Sequence, residues 1–269
     1  MTSSIPTSFG PLLRRWRITR ALSQERLAGD AEISARHLSC LETSRSAPSR
    51  GMVLVLASAL DLPLRERNSL LVAAGFAAVY RESPLDGPEL AQVRRALDFV
   101  LARQEPYPTL VVDRIWNVVR ANRGALRMFS LAFGAPVAGL RKVNGLRAIF
   151  DPGPIRAAII NWDEVAGSIV ARLRLEIAAE PDDHARVALL AELLAQPGVP
   201  AHFRKPSTES VQPFLSVHLR VAGVDLRFFT MLATLGTPLD ITAQELRIES
   251  YFPADAATEA WTRQAEERG

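Results

Sequence analysis

Apolar residues recur at helical spacing through roughly the first 75 residues, then switch to short alternating runs past residue 106. Leu12, Leu13, Trp16 and Ile18 to Leu22 predict a first helix. Ser23 suits an N-cap, and Leu22, Leu27 and Ala31 then fall on one face. Ile33 fills the space between two helices. Ser34 is a second N-cap, and Leu38 and Leu41 line the inner face of the helix it starts. Pro48-Ser49 opens a helix with Met52, Val53, Leu56, Ala57 and Leu60 buried; Asp61-Leu62-Pro63 breaks it. A final helix, Arg65 to Gly75, is stopped by that glycine. The pattern predicts five helices over residues 10–80.

The next segment changes in kind. Residues 81–88, RESPLDGP, read as a linker, and Pro88 suits the first turn of a connecting helix up to residue 105. Its apolar side is Leu90, Val93, Leu97, Val100 and Leu101. Thr109 to Asp113 and Trp116 to Arg120 are β-rich, and Asn122 starts a helix. A helical block follows at Gly145 to Phe150, Pro154 to Ala179 and Asp182 to Gln196, where Asp182-Asp183-His184 reads as an exposed helix start. Three strands are expected last, at Phe214 to Val221, Asp225 to Leu235 and Glu245 to Phe252. In FLSVHLRV the alternation puts Leu215, Val217, Leu219 and Val221 on one face, His218 and Arg220 on the other. Residues 106–255 thus predict an antiparallel sheet with helices on one side, and residues 256–269 a C-terminal tail. The whole is α+β.

The motif at residues 22–49 carries the clearest chemistry. Ser23-Gln24, Leu27-Ala28, Ile33-Ser34, Leu38-Ser39, Leu41-Glu42, Arg45 and Pro48-Ser49 together resemble the helix-turn-helix of Cro/repressor (XRE) type regulators. The resemblance implies a five-helix repressor-like domain that reads duplex DNA. It places Ala35, Arg36, Ser39 and Cys40 outward on the recognition helix, whose N-terminal half meets base edges in the major groove. Arg36 is the candidate for a bidentate guanine contact and Ala35 for a thymine methyl. Gln24 is expected against a phosphate. Ser34 caps the helix, and Ser39, Arg45 and Arg50 are candidates for the DNA backbone. The family often has glycine where this chain has Glu32 and Ser44, each costing about 1 kcal/mol if left-handed.

Charge agrees with this division. Residues 1–80 hold 10 Arg against 6 acidic residues, whereas the remainder is close to balanced, within a net charge of +3. A phosphate-bearing partner accounts for the excess. The single cysteine excludes a disulfide scaffold and fits a cytoplasmic protein. No apolar run is long enough to insert in a membrane, and the leader MTSSIPTSFG lacks the features of a secretory signal.

The order of repressor-type helices, then PYPTLVVDRIWNVVRANRGALRMF, then LGTPLDITAQELRIESYFPAD resembles the MmyB-like transcription regulators. The resemblance implies a PAS-like ligand-binding domain and a homodimer that senses a small hydrophobic molecule, with fatty-acid-like amphiphiles as the class. Candidate cavity walls are Trp116, Phe129, Phe133, Trp162, Phe228 and Phe229. Arg127, His218, Arg220 or Arg227 are candidates to hold an acidic head group. No G-x-S-x-G, H-E-x-x-H or Walker A pattern occurs, the four histidines show no metal-ligand spacing, and no cofactor is called for. The alternative from another class is an enzyme acting on a lipid or acyl substrate, fused to a DNA-binding domain.

Overall fold

A computed structural model describes residues 8–134, 139–140, 143–205 and 215–267. The leader up to residue 7 and the strand start expected at Phe214 lie outside them. The chain divides into two compact units. One runs to Pro84 and takes in Thr237–Gln244; the other holds Leu85–Gly236 and everything from Glu245.

The first unit contains α1 (Phe9–Thr19), α2 (Gln24–Asp30), α3 (Ala35–Glu42), α4 (Arg50–Ala59) and α5 (Leu64–Ala73). The expected caps form: Ser23, Ser34 and Ser49 accept from the backbone N–H of Arg26, His37 and Met52. Trp16, Leu13, Leu27, Leu38, Leu41, Leu56 and Leu70 are fully buried in one core, each contributing roughly 1.5–3 kcal/mol. At Gly10 a side chain would run into the Leu41 and Glu42 carbonyls, so α1 lies directly on the end of α3.

All five helices end alike. Two residues past each, the chain turns left-handed, at Ala21, Glu32, Ser44, Asp61 and Gly75. The next N–H returns to the carbonyl five residues back, as from Leu22 to Arg17, Ile33 to Ala28 and Leu62 to Ala57. This is the Schellman arrangement, and only the last uses the glycine that it favours.

The second unit has β1 (Thr109–Val112), β2 (Val118–Ala121), β3 (Ser216–Val221), β4 (Val224–Thr234) and β5 (Arg247–Pro253). They form one antiparallel sheet in the order β2-β1-β5-β4-β3, so β5 is central and β3 an edge. The helices are α6 (Ala91–Arg103), α7 (Arg123–Phe133), α8 (Gly145–Phe150), α9 (Pro154–Ala158), α10 (Trp162–Ala179), α11 (His184–Ala195), α12 (Ile241–Glu245) and α13 (Ala256–Glu267). This strand order, with helices α7 to α11 between β2 and β3, is the PAS-like sheet that the sequence led us to expect.

Four features depart from the sequence expectations. The run from Pro154 to Ala179 is two helices, because Ile159 bridges Leu219 and the Ile160 N–H donates to the His218 carbonyl. An edge strand offers such unpaired groups, and the chain leaves helix to satisfy them. The sheet is covered on both faces: Leu97 and Leu101 of α6 pack on Val111 and Ile248, opposite the larger core. Residues 256–267 are no tail but a helix against β4 and β5, with Thr258 and Thr262 buried. The start of α11 is buried too, since Asp183 joins Arg114 and Arg186. No described helix is long and apolar enough to cross a membrane.

The left-handed ends give a direct test. Glu32→Gly and Ser44→Gly should each stabilise the first unit by about 0.5–1 kcal/mol, read as a higher urea midpoint of helical circular dichroism. A lower midpoint would contradict the assigned backbone.

Candidate DNA-reading helix and sensor cavity

Ser34 holds the start of α3 and leaves Arg36 and His37 exposed side by side on its first turn. Ser39 and Cys40 are half-buried on the next turn, and Ala35 is half-buried against the core. Arg45 follows α3 and Arg50 opens α4; both are exposed. Among the described residues, Arg36, Arg45 and Arg50 have no carboxylate within ion-pair distance, leaving three cations for an external anion.

Behind this surface lies a closed polar cluster. Arg17 binds Glu42 through Nε and Nη2, at 2.6 and 3.0 Å, and donates to the Leu22 carbonyl. Gln24 donates from Nε2 to the same carboxylate at 2.7 Å. Burial pushes the Glu42 carboxyl up, but the hydrogen bonds from Arg17 and Gln24 outweigh it and hold its pKa below the usual range. Three segments, α1, α2 and α3, are thereby fastened at one carboxylate. The Gln24 amide is turned inward to this cluster, which differs from the phosphate contact expected for it.

In the second unit a cavity lies between the sheet and α7 to α10. Leu110, Val112, Leu215, Val217 and Leu219 line it from the sheet, and Met128, Phe129, Ile155, Val165 and Ile169 from the helices. The atom-free space is about 820 Å³, its open mouth included. Four polar residues interrupt its apolar lining: Trp116, Arg172, Glu249 and Tyr251. The Tyr251 hydroxyl donates to Glu249 Oε2 at 3.2 Å. Burial raises the Glu249 pKa above the ordinary 4.5, and the Arg172 charge offsets it only in part. Burial and the neighbouring Glu249 push the Tyr251 phenol well above its usual value. The Arg172 guanidinium lies 5.3 Å over the Trp116 ring and, among the described residues, has no ion-pair partner. Trp116 is itself buried at a left-handed φ of 68°, and its indole N–H has no hydrogen-bond partner among the described residues.

Comparison with known proteins adds the family. Residues 93–265 match the model of the MmyB-like transcription regulator ligand binding domain, and residues 8–70 that of a helix-turn-helix domain. The chain belongs to the MmyB-like transcription regulators. No curated protein matches it. Among solved structures it is similar to the PAS domain of BvgS from Bordetella pertussis, at 12% identity and a TM-score of 0.29, over 65% of this chain and 97% of that one. It is similar also to an RNA-binding light-oxygen-voltage receptor, at 12% identity and a TM-score of 0.27, over 94% of this chain and 59% of that one. At such scores the fold assignment rests on the strand order instead.

Within this MmyB-like regulator the expected wall residues separate. Trp116 and Phe129 line the cavity. Phe133 is partly exposed at the end of α7 and outside the lining. Trp162 packs on Phe150 and Phe203 under Arg156, with its indole donating to the Ile149 carbonyl. Phe228 is buried against Tyr251, and Phe229 stacks on Phe252.

None of the four expected head-group anchors reaches the cavity. Arg127 pairs with Glu105 at 3.3 Å. Arg220 is exposed and pairs with Asp225 across the β3–β4 hairpin, and Arg227 is exposed. His218 bonds Ser216 at 3.0 Å and sits opposite Arg227 in the ladder. The strand period accounts for these three, because Val217 and Leu219 point into the cavity and their neighbours point away.

Arg172, Glu249 and Tyr251 were missed, although each left a signal. Val165, Ile169 and Arg172 share one face of α10 at helical spacing. Glu249 and Tyr251 alternate with Ile248 and Ser250 in β5, a carboxyl set on a buried face.

Two outcomes follow for the regulator. Glu42→Ala leaves the half-buried Arg17 without its carboxylate and should cost about 1–3 kcal/mol of first-unit stability, measured by urea unfolding; a change under about 0.5 kcal/mol contradicts the brace. Glu249 has a raised native pKa, so its protonated form stabilises the fold in acid and that contribution fades as pH rises through the native value. Wild type should therefore lose stability relative to Glu249→Gln as the pH rises above the ordinary carboxyl value of 4.5. A difference independent of pH would contradict the assignment.

Proposed function

We propose that this MmyB-like regulator binds a small hydrophobic molecule with an acidic head group, of the fatty-acid-like class, and reads a specific DNA sequence through Arg36. One observation carries the ligand reading: an apolar cavity whose lining holds an arginine with no ion-pair partner among the described residues, beside the buried Glu249–Tyr251 pair. A ligand carboxylate would neutralise Arg172, with the Tyr251 hydroxyl as a further hydrogen-bond donor beside it.

At the output end, a homodimer in the cytoplasm would set two α3 helices about 34 Å apart on a near-palindromic site. Arg36 would contact a guanine, with Ala35 beside it. Ser34, Ser39, Cys40, Arg45 and Arg50 would follow the groove and backbone.

Native mass spectrometry of the purified chain should show a dimer and the mass of a co-purified acid. With dodecanoate as probe, Arg172→Leu should weaken binding roughly tenfold or more by calorimetry, while Arg220→Leu leaves it unchanged. Equal losses would defeat the Arg172 assignment. Arg36→Ala should cost about 1–3 kcal/mol of discrimination at one base pair in a binding-selection assay; an unchanged preferred site would defeat the base-reading role.

A further inference from the structure

Adjacent antiparallel strands are usually joined by two to five residues. The β4–β5 connection, from Thr234 to Arg247, is more than twice that length and contains α12. Its middle, Thr237–Gln244, belongs to the first unit. Ile241 and Ala243 are buried. Asp240 Oδ2 accepts from the Ser83 N–H at 3.1 Å, and the Ile241 N–H donates to the Arg81 carbonyl at 2.8 Å. Asp240 and Arg81 also form a parallel bridge. Gln244 Oε1 accepts from the Leu64 N–H at 2.7 Å. That bond matters because α5 begins after Pro63, which offers no side-chain cap. A glutamine 180 residues away supplies it.

The same strap runs straight to the cavity. Glu245 pairs with Arg114 at 3.7 Å, and Arg114 pairs with Asp183. Arg247 pairs with Glu176 at 2.6 Å and lies 5.6 Å over the Trp116 ring, which Arg172 also approaches. Glu249 then lines the cavity. Only four residues of main chain therefore separate Gln244, the cap of α5, from the cavity carboxyl Glu249. They cannot absorb a shift easily, since β5 is hydrogen-bonded on both edges.

We infer that the strap Thr237–Gln244 couples the cavity to the DNA-binding unit, by tying the start of β5 to the N-terminus of α5 and to Arg81–Ser83. A head group that redraws the Arg172–Trp116–Arg247 arrangement would bias β5, and through Gln244 and Asp240 the helices that carry α3. Linkage makes the coupling reciprocal: DNA bound at α3 must bias β5 in return. The ligand half of this statement rests on the proposed acidic ligand. The DNA half does not.

The experiment is hydrogen exchange with mass spectrometry on the full chain, using a duplex that wild type selects from a random pool. Adding the duplex should change exchange across residues 245–251 in wild type. The change should be lost in Gln244→Ala and in Asp240→Ala with Gln244→Ala, each at duplex concentrations that saturate it. Gln244→Glu keeps an acceptor for Leu64 and should retain the change. No response in wild type, a measurement that needs no variant, overturns the coupling, as does an equal response in Gln244→Ala. In the second arm dodecanoate should alter exchange at residues 64–67 and 81–84 of wild type and not of the variants. If dodecanoate leaves even the cavity segments unchanged while the duplex arm holds, the ligand reading fails and the strap stands. If it protects the cavity but not residues 64–84, the strap is overturned.

Discussion

The second unit depends on the double ladder of β5. A strand paired on both edges has a fixed register, and the period of two then decides every side chain's face. Leu110 faces Glu249 on one side, and Leu232 faces it on the other. Glu249 and Tyr251 are consequently held on the cavity face, and Ile248 on the face covered by α6. A slip by one residue would expel a carboxyl from the cavity and drive Ile248 into it. The buried Glu249 is tolerated because Tyr251 donates to it and its neutral form is favoured there.

The first unit follows a different economy. Its helices are short, and short helices owe their stability to packing and to their ends. Four of the five left-handed exits use residues other than glycine, and three of these deliver the next residue, Leu22, Ile33 or Leu62, to the inner side. Burial of that residue offsets the backbone cost. The Arg17–Glu42–Gln24 cluster adds direction to apolar packing. A bidentate pair fixes the angle of α3 against α1, and hence the surface on which Arg36 and His37 stand.

Function arises where the two schemes share chain. Strap residues Asp240 to Gln244 are held by backbone groups of Leu64, Arg81 and Ser83. The residues that follow are held by ion pairs around Trp116 and α10. Both ends are specific and the intervening chain is short. That is what distinguishes a coupling element from an ordinary loop.

Local rules made much of this visible beforehand. The five helices, their serine caps and the left-handed Glu32 and Ser44 follow from spacing and cap chemistry that act within one turn. The strands at residues 109–121 and 216–253 follow from alternation, and FLSVHLRV already turned His218 and Arg220 away from Leu219. The sequence by itself therefore determined the helix-turn-helix, the sheet and the family. Only the tertiary structure decided which charges meet. Gln244 reaches Leu64, Gln24 turns to Glu42, Arg172 stands over Trp116, and Ile159 leaves its helix for an edge strand. Each depends on where distant segments are brought by burial of the core. No periodicity along the chain encodes that distance.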